Sequence, residues 1–220
     1  MLAIDIESLG LNKKRDLITV ISIYDDLSHI KRVLRFVEID VEDGRVRYKN
    51  NFRDLVTELM GILDKADHLC GFNAISFDIP FIACQFKIPY KTVTNWKNKT
   101  FDILNTARCH FERTFSLDLL FKVNPVSSGG KTGTGLQAVE MAKNGQWEEL
   151  EAYCMEDSRL IHEISSLKII KCPEGGKWRR KNGGRTNDPS RVAQIDTSKF
   201  PKLSFSIGNE GCGWEVVGGK

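Results

Sequence analysis

The chain of 220 residues holds 32 Lys and Arg against 29 Asp and Glu, a formal charge of +3, and is 41% hydrophobic. These values are typical of one globular domain with a real core, and they exclude disordered, collagen-like and coiled-coil classes. No apolar run approaches the roughly 20 residues that cross a bilayer, and no signal peptide is evident. Six scattered cysteines without a Cys-x-x-Cys pair predict reduced thiols in an intracellular protein, cytoplasmic or nuclear and not secreted.

The first fifty residues predict three β-strands joined by short turns. A short apolar run over residues 2–6 ends in acids, and a β-branched run follows over residues 17–24. A third run, over residues 29–39, alternates less regularly. Turn signals at Asp25-Asp26 and Asp43-Gly44 separate these segments. The pattern predicts an antiparallel meander.

From Asn51 onward, the apolar spacing becomes helical, with Asn51 itself a candidate N-cap. Asp102 and Asp118, acids within apolar stretches, are interpreted as helix N-terminal caps. The order of elements predicts an α/β fold, a mixed sheet flanked by helices. The elements predicted after the meander are a helix over 52–63, a strand over 69–73, helices over 77–86, 101–110 and 116–123, a loop over 127–135 and a long helix over 147–170.

The composition changes near residue 170. Residues 171–191 carry a net charge of +5, which leaves −2 for the remainder of the chain. We therefore divide the chain into a body, residues 1–170, and a basic, Gly-rich extension, residues 171–220. Apolar residues between 200 and 217 predict a C-terminal hairpin that turns near Gly208-Asn209 and packs on the body.

Within the extension, an aromatic residue lies among basic ones, in the segment Lys177-Trp178-Arg179-Arg180-Lys181. Such a segment can neutralise phosphates and stack a base, which makes Trp178, Arg179 and Arg180 candidate nucleic-acid contacts. The alternative is a solvated tail, and the sequence leaves both interpretations open.

Two acids, Asp5 and Glu7, bracket Ile6 in the first predicted strand. The period of two in a strand puts both carboxylates on one face. Two like charges beside apolar neighbours repel and lose hydration, so they call for a cation. The alternative is a strand that ends in an acidic turn.

Two further acids lie in helical segments. Asp78 lies at the start of an apolar helix, where the helix dipole alone also favours a carboxylate. Tyr153 and Asp157 are spaced i and i+4, which places them on one helix face that is otherwise apolar.

The combination of these segments resembles the three motifs of the DEDD (DnaQ-like) 3′–5′ exonucleases. The tyrosine four residues before the last aspartate resembles the tyrosine subclass, because the histidine subclass needs His where this chain has Ala152. Residues 2–170 are most similar to the proofreading domain of family B DNA polymerases, without a polymerase domain behind them. The segments that carry the resemblance are Asp5-Ile6-Glu7, Asn73-Ala74-Ile75-Ser76-Phe77-Asp78 and Tyr153-Cys154-Met155-Glu156-Asp157.

This resemblance implies an RNase H-like fold and two divalent cations, Mg²⁺ or Mn²⁺, which prefer oxygen ligands. It implies that Asp5, Glu7 and Asp157 hold the ion that activates the attacking water. Asp5 would bridge to a second ion at the leaving 3′ oxygen, with Asp78 nearby and acting mostly through water. Tyr153 would orient the water, since a phenol with a pKa of about 10 is a poor base at neutral pH.

The resemblance also implies contacts to the substrate. Ser8 and Leu9 follow the first motif and would contact the terminal sugar and base. Asn73 and Phe77 would line the pocket for the last two nucleotides, by a hydrogen bond and by stacking. Apart from the resemblance, Lys131 in the Gly- and Ser-rich loop is a candidate contact to a backbone phosphate.

The implied activity is removal of nucleoside 5′-monophosphates from single-stranded 3′ ends, with DNA favoured because the likeness is to DNA polymerases. An exoribonuclease that trims RNA is the first alternative. A non-catalytic nucleic-acid-binding module is the second, although all four acids of the motifs are present. No membrane partner is expected, and the sequence names no protein partner in replication or repair.

Overall fold

The structure is a computed structural model that describes residues 1–40, 42–111, 114–124, 126–127, 133–173, 194–200, 204–206 and 213–215. Its strands are β1 (Leu2–Ser8), β2 (Ile18–Asp25), β3 (Ile30–Arg35), β4 (Val37–Ile39), β5 (Val46–Tyr48), β6 (Leu69–Gly71), β7 (Thr100–Asp102), β8 (Ile169–Lys171), β9 (Gln194–Asp196), β10 (Ser204–Ser206) and β11 (Gly213–Glu215). Its helices are α1 (Phe52–Lys65), α2 (Asp78–Phe86), α3 (Tyr90–Asn98), α4 (Ile103–Phe111), α5 (Leu117–Val123), α6 (Gly135–Lys143) and α7 (Trp147–Ser165), followed by a 3₁₀ turn at Thr197–Lys199.

A five-stranded mixed sheet in the order β3-β2-β1-β6-β7 forms the centre of the fold. Strands β1, β2 and β3 pair antiparallel, which confirms the predicted meander. Strands β6 and β7 add in parallel beyond β1. Strand β1 is therefore central and covered on both faces, as its buried apolar residues require.

Alternation along β1 divides the core between the two faces of the sheet. Ile4 and Ile6 pack in an apolar cluster with residues of α1, α2 and α3. Ala3 packs on the other face, in a cluster that includes residues of α4, α5 and α7. Because side chains alternate, Asp5 and Glu7 share the face of Ala3 and point toward α7.

The predicted third strand divides at Phe36 into two strands of different sheets. Phe36 is fully buried, and its backbone N–H donates to the Thr19 carbonyl. Beyond it, β4 pairs with β5 around the turn at Gly44, which has φ of 68°. The turn signal at Asp43-Gly44 thus marks a separate hairpin, whose second strand we did not predict.

The middle of the chain departs from the predicted helices at several points. Helices α3 and α6 were not predicted, and the helix expected from residue 101 is preceded by strand β7. Helix α7 ends at Ser165 rather than near residue 170, because Ile169 and Ile170 continue as β8. β7 and β8 are three-residue strands stabilised by distant partners, so local periodicity does not reveal them.

The two acids interpreted as helix caps differ. Asp102 is the cap of α4, since its carboxylate accepts the Asn105 N–H at 2.9 Å. The residue that caps α5 is Ser116, whose hydroxyl accepts the Leu119 N–H. Asp118 instead lies in the first turn of α5 and pairs with Lys122, so its interpretation as a cap was wrong.

Beyond the body, the chain pairs in a separate two-stranded sheet and packs on the core. Strand β9 pairs with β8, and Ile195 is buried in the same cluster as Ile170. The Phe200 ring lies 5.1 Å from the Phe101 ring. Strands β10 and β11 pair antiparallel where a hairpin was expected, while the expected turn at 208–209 lies outside the described residues. Among the described residues, no helix has the length and apolar character to span a membrane.

Candidate functional site

Three carboxylates meet on the face of the sheet that α7 covers. Ligand oxygens of Asp5, Glu7 and Asp157 all lie within 4.8 Å of one another. Asp157 is 2% exposed, whereas Asp5 and Glu7 are half-buried. The period of two on β1 supplies the first two acids, and the packing of α7 supplies the third across 150 residues of chain.

Polar contacts between β2 and α7 set the position of Asp157. Ser22 is the cross-strand partner of Asp5. Its hydroxyl donates to the Cys154 carbonyl at 2.7 Å and lies 2.6 Å from the Ser158 hydroxyl. These contacts bracket Asp157 on the helix, so they fix the register in which its carboxylate faces Asp5.

The three carboxylates fit a hard divalent cation. Oxygen donors at this spacing are the ligands that Mg²⁺ and Mn²⁺ prefer. The negative field of the cluster extends to Cys154, whose Sγ lies 3.8 Å from Asp5 Oδ2. Burial, and after it the charges of Asp5 and Glu7, raise the pKa of this thiol well above its usual value. A bound cation would offset the same repulsion.

Asp78 lies beside β1 but outside this three-acid group. It is 5% exposed at the first residue of α2, and its carboxylate accepts the backbone N–H of Ile6, between Asp5 and Glu7. Burial, followed by repulsion from the carboxylate of Asp102, raises the pKa of Asp78 to about 7. Asp78 thus adjoins the group through the backbone of Ile6.

A pH dependence of stability follows for the metal-free protein. An unfolded Asp78 ionises near pH 4, whereas the folded one ionises at about 7. Between these values the unfolded chain has lost a proton that the folded chain keeps, so the free energy of unfolding falls as pH rises. Asp78→Asn should remove most of this pH dependence, which is on the order of a few kcal/mol between pH 4 and 8. Urea denaturation in EDTA across that range measures it.

The matched control is Asp118→Asn, because this exposed carboxylate pairs with Lys122 in an i, i+4 contact at the surface. Its pH profile should run parallel to that of the wild type. If the free energy of unfolding changes with pH in the same way in the wild type and in Asp78→Asn, the raised pKa of folded Asp78 is wrong.

The fully buried Asp102 holds the loop that precedes α2. Its carboxylate accepts the backbone N–H groups of Asn73 and Ile75, each at 2.9 Å, in addition to that of Asn105. Burial nevertheless raises its pKa. Asn73 has φ of 68°, and its Oδ1 accepts from Arg108 at 2.7 Å. The amide oxygen of Asn73, a residue expected to line the substrate pocket, is therefore engaged within the protein.

Tyr153 is nearly buried on α7, one turn before Asp157. It packs in a cluster with Leu9, the residue expected to contact the terminal base. Gly133 lies directly against its ring, because a Cβ added there would be 2.9 Å from Cε2. A cavity of about 230 Å³ opens beside the ring, lined by Gly133, Gln137, Met141, Glu149, Ala152 and Tyr153.

If Tyr153 acts as the resemblance implies, Gly133→Ala should displace its ring and lower kcat about five- to tenfold with little change in KM. A displacement of a reacting group by about 1 Å can lower the rate about a hundredfold. The ring needs to move by less than 1 Å to relieve the contact, so the expected loss is smaller. Gly135→Ala is the matched control, since a Cβ there meets nothing within 4 Å and Ala favours the helix. Equal kcat values for Gly133→Ala and Gly135→Ala would show that the reaction does not depend on the position of the Tyr153 ring.

The remaining predicted contacts divide between described and undescribed residues. Ser8 lies at the end of β1, and its hydroxyl donates to the Gly10 carbonyl at 2.6 Å. Phe77 directly precedes α2, with its ring 5.4 Å from that of Phe81. The other four candidates lie outside the described residues: Lys131, Trp178, Arg179 and Arg180.

Sequence reasoning missed Gly133 and Lys13 at this site and gave Asp102 only a role as a helix cap. Lys13 Nζ donates to the Ser76 carbonyl at 3.0 Å and lies 6.0 Å from the centroid of the Phe77 ring. A signal for it existed, because Lys13-Lys14-Arg15 is a basic run shortly after the first acidic motif. No comparable signal marks Gly133.

Residues 2–167 match the family model RNase_H_2, which is described as RNase_H superfamily. No sequence among the curated proteins matches the chain significantly. Similar solved structures include the family B DNA polymerase of the hyperthermophilic archaeon Pyrobaculum calidifontis, at 15% identity and a TM-score of 0.48. That match covers 74% of this chain and 24% of the polymerase chain.

Proposed function

The chain belongs to the RNase H superfamily, and from this membership we propose that it is a metal-dependent 3′–5′ exonuclease. It belongs, in this proposal, to the tyrosine subclass of DEDD exonucleases, acts on single-stranded 3′ ends of DNA and releases nucleoside 5′-monophosphates. The observation that carries the proposal is the convergence of Asp5, Glu7 and Asp157 within 4.8 Å. Three acids so close together, one of them buried, are costly unless they bind cations.

Asp5, Glu7 and Asp157 would hold the divalent cations, with Asp78 adjoining through the Ile6 segment. When bound, such ions activate water and stabilise the charge that develops on the leaving 3′ oxygen. The protein contributes rigidity, because β1 is a central strand and the contacts of Ser22 hold α7 in register. Fixed carboxylates need no rearrangement as charge develops.

Tyr153 would position the attacking water through its hydroxyl group. It lies one helical turn from Asp157, so the two side chains project from the same face of α7. Packing against Gly133 restricts the ring, and a restricted ring holds its hydroxyl in one place. This role needs no deprotonation of the phenol at neutral pH.

Substrate would approach along the rim formed by Ser8, Leu9, Asn73 and Phe77. Phe77 offers a half-buried ring on which a base can stack. Asn73 would act through its amide N–H₂ group, since its oxygen accepts from Arg108. The carboxylates repel phosphate until cations neutralise them, so binding should strengthen when metal is added.

The test is an assay with single-stranded DNA and RNA labelled at either the 3′ or the 5′ end, in Mg²⁺, Mn²⁺ or EDTA. A 5′ label should give a ladder that shortens one nucleotide at a time, and a 3′ label should give mononucleotide at once. EDTA should stop both. Faster degradation of RNA than of DNA would make RNA the substrate. Binding without hydrolysis in the presence of any metal would refute the proposed nuclease activity.

A further inference from the structure

The backbone of Asn73 is held at both of its polar groups. Its N–H donates to the Asp102 carboxylate at 2.9 Å. Its carbonyl accepts the N–H groups of Ser76 and Phe77, at 3.1 and 2.8 Å. The residue has φ of 68°, in the left-handed region that asparagine adopts more readily than most residues. The Cα–Cβ bond of Asn73 therefore has a fixed direction, and only the side-chain torsions remain to be set.

Arg108 sets the orientation of the Asn73 side chain. One N–H group of its guanidinium donates to Asn73 Oδ1 at 2.7 Å. A guanidinium has donors and no acceptor, so the amide atom that faces it must be the oxygen. The amide N–H₂ group of Asn73 therefore points away from Arg108. Within the described part of the chain, this N–H₂ group donates to no protein atom.

Both contacts to Asn73 come from one short segment of the chain. Asp102 caps α4 through the Asn105 N–H, and Arg108 lies near the end of the same helix. Because the cap fixes where α4 begins, it also fixes where Arg108 lies relative to Asn73. The charge of Arg108 opposes the rise in the pKa of Asp102 that burial causes. Helix α4 and its cap thus hold the backbone and the side chain of Asn73 together.

We propose that Arg108 is a positioning residue for the bound strand, because it directs the Asn73 N–H₂ group toward an oxygen of a phosphate or a sugar. A phosphodiester group has acceptors and no donors. An amide turned the other way would present its own oxygen to the strand and repel it. This inference rests on the proposed function and deepens it, since it explains why the side chain of Asn73 is held as a donor.

Two alternatives for Arg108 lead to different results. Its guanidinium is half-buried and has further N–H groups besides the one that Asn73 accepts, so direct contact with a phosphate is the first alternative. The second is a purely structural bond between α4 and the loop that precedes α2. A direct contact acts independently of the Asn73 amide, and a structural bond changes stability without a specific effect on binding.

The experiment measures binding of a fluorescein-labelled single-stranded DNA 12-mer to the full chain, by anisotropy in EDTA at low salt. Asn73→Ala should raise Kd about fivefold, the loss of one hydrogen bond. Arg108→Met should raise it by a similar factor, because the amide is no longer held. Arg53→Met is the matched control, since it removes the same charge from an exposed position on α1. Its Kd should stay within about twofold of the wild type.

Combining the two substitutions separates the positioning role from direct contact with phosphate. If Arg108 acts through Asn73, the double variant Asn73→Ala with Arg108→Met should bind within about twofold of Asn73→Ala alone. Multiplication of the two single effects would overturn the proposal. Arg108→Lys should restore most of the affinity, because an ammonium group also has donors only and keeps the amide oxygen turned toward it.

Asn73→Asp separates the positioning role from a structural one. The aspartate keeps an oxygen for Arg108 and gains a charge-assisted contact, so its melting temperature should stay within about 3 °C of the wild type. An oxygen now replaces the N–H₂ group, so Kd should rise at least about tenfold. Ser76→Asp is the matched control, because it adds the same charge at an exposed position of the same loop. Equal Kd values for these two variants would overturn the proposal.

This proposal and the proposed nuclease activity fail separately. If the wild type hydrolyses the labelled strand but Arg108→Met binds as Arg53→Met does, the positioning role is overturned and the nuclease stands. If the variants bind as expected while no metal supports hydrolysis, the positioning role stands and the nuclease fails. Absence of binding of any single strand by the wild type overturns the positioning role.

Discussion

Asp157→Asn should lower the rate of hydrolysis by at least ~10³-fold while single-strand affinity changes by less than about threefold. The asparagine is nearly isosteric, so the buried position keeps its packing, but a neutral oxygen replaces a charged ligand in the three-acid group. Loss of several kcal/mol of transition-state stabilisation corresponds to about three powers of ten in rate. Initial rates with a 5′-labelled oligonucleotide in Mg²⁺ and Mn²⁺ measure the effect.

Glu156→Gln is the matched control on the same helix. This neighbouring acid pairs with Arg159 at 2.8 Å, and its substitution removes the same charge from α7. Its rate should stay within twofold of the wild type, because a partly exposed ion pair contributes little. Activity within tenfold of wild type in Asp157→Asn would remove Asp157 from the catalytic site.

Asp102→Ala should destabilise the protein by roughly 3 kcal/mol, since buried N–H groups without acceptors each cost about 1–3 kcal/mol. Three backbone N–H groups, those of Asn73, Ile75 and Asn105, lose their acceptor in a fully buried position. Relief of the repulsion with Asp78 offsets part of this loss. For a domain of this size the melting temperature should fall by about 6–12 °C.

Two variants sharpen this second prediction. Asp102→Asn should be intermediate, because one oxygen can still accept from Asn73 and Asn105 while an N–H₂ group faces the Ile75 N–H. Asp118→Ala should change stability by less than about 1 kcal/mol, since its ion pair is exposed. Thermal melts that coincide for Asp102→Ala and Asp118→Ala would mean that Asp102 does not hold the loop.

The loss of stability in Asp102→Ala should also affect the proposed active site. Ile75 and Asn73 precede Phe77 and Asp78 by a few residues, so release of their N–H groups frees the start of α2 to move. Activity measured well below the melting temperature should therefore be highest in the wild type, lower in Asp102→Asn and lowest in Asp102→Ala. The sequence offered only the capping role of Asp102, because the other two donors come from 29 and 27 residues upstream.

The amino-acid sequence alone determined the features that depend on local period. Alternation in β1 put Asp5 and Glu7 on one face, and helical spacing put Tyr153 and Asp157 on one face of α7. The meander and the mixed sheet flanked by helices were also evident, since runs of six or more residues carry a clear period. Side-chain direction in these elements follows from backbone geometry within a few residues.

Only the tertiary structure decided which of these faces meet and what surrounds them. The Ser22 contacts that register Asp157 opposite Asp5 join residues more than 130 positions apart, and the Lys13–Ser76 contact spans 63. Gly133 became informative only because the Tyr153 ring lies against it. The short strands β7 and β8 also depend on tertiary structure. Three residues carry too little local preference, and their stability comes from hydrogen bonds to strands supplied by distant parts of the chain.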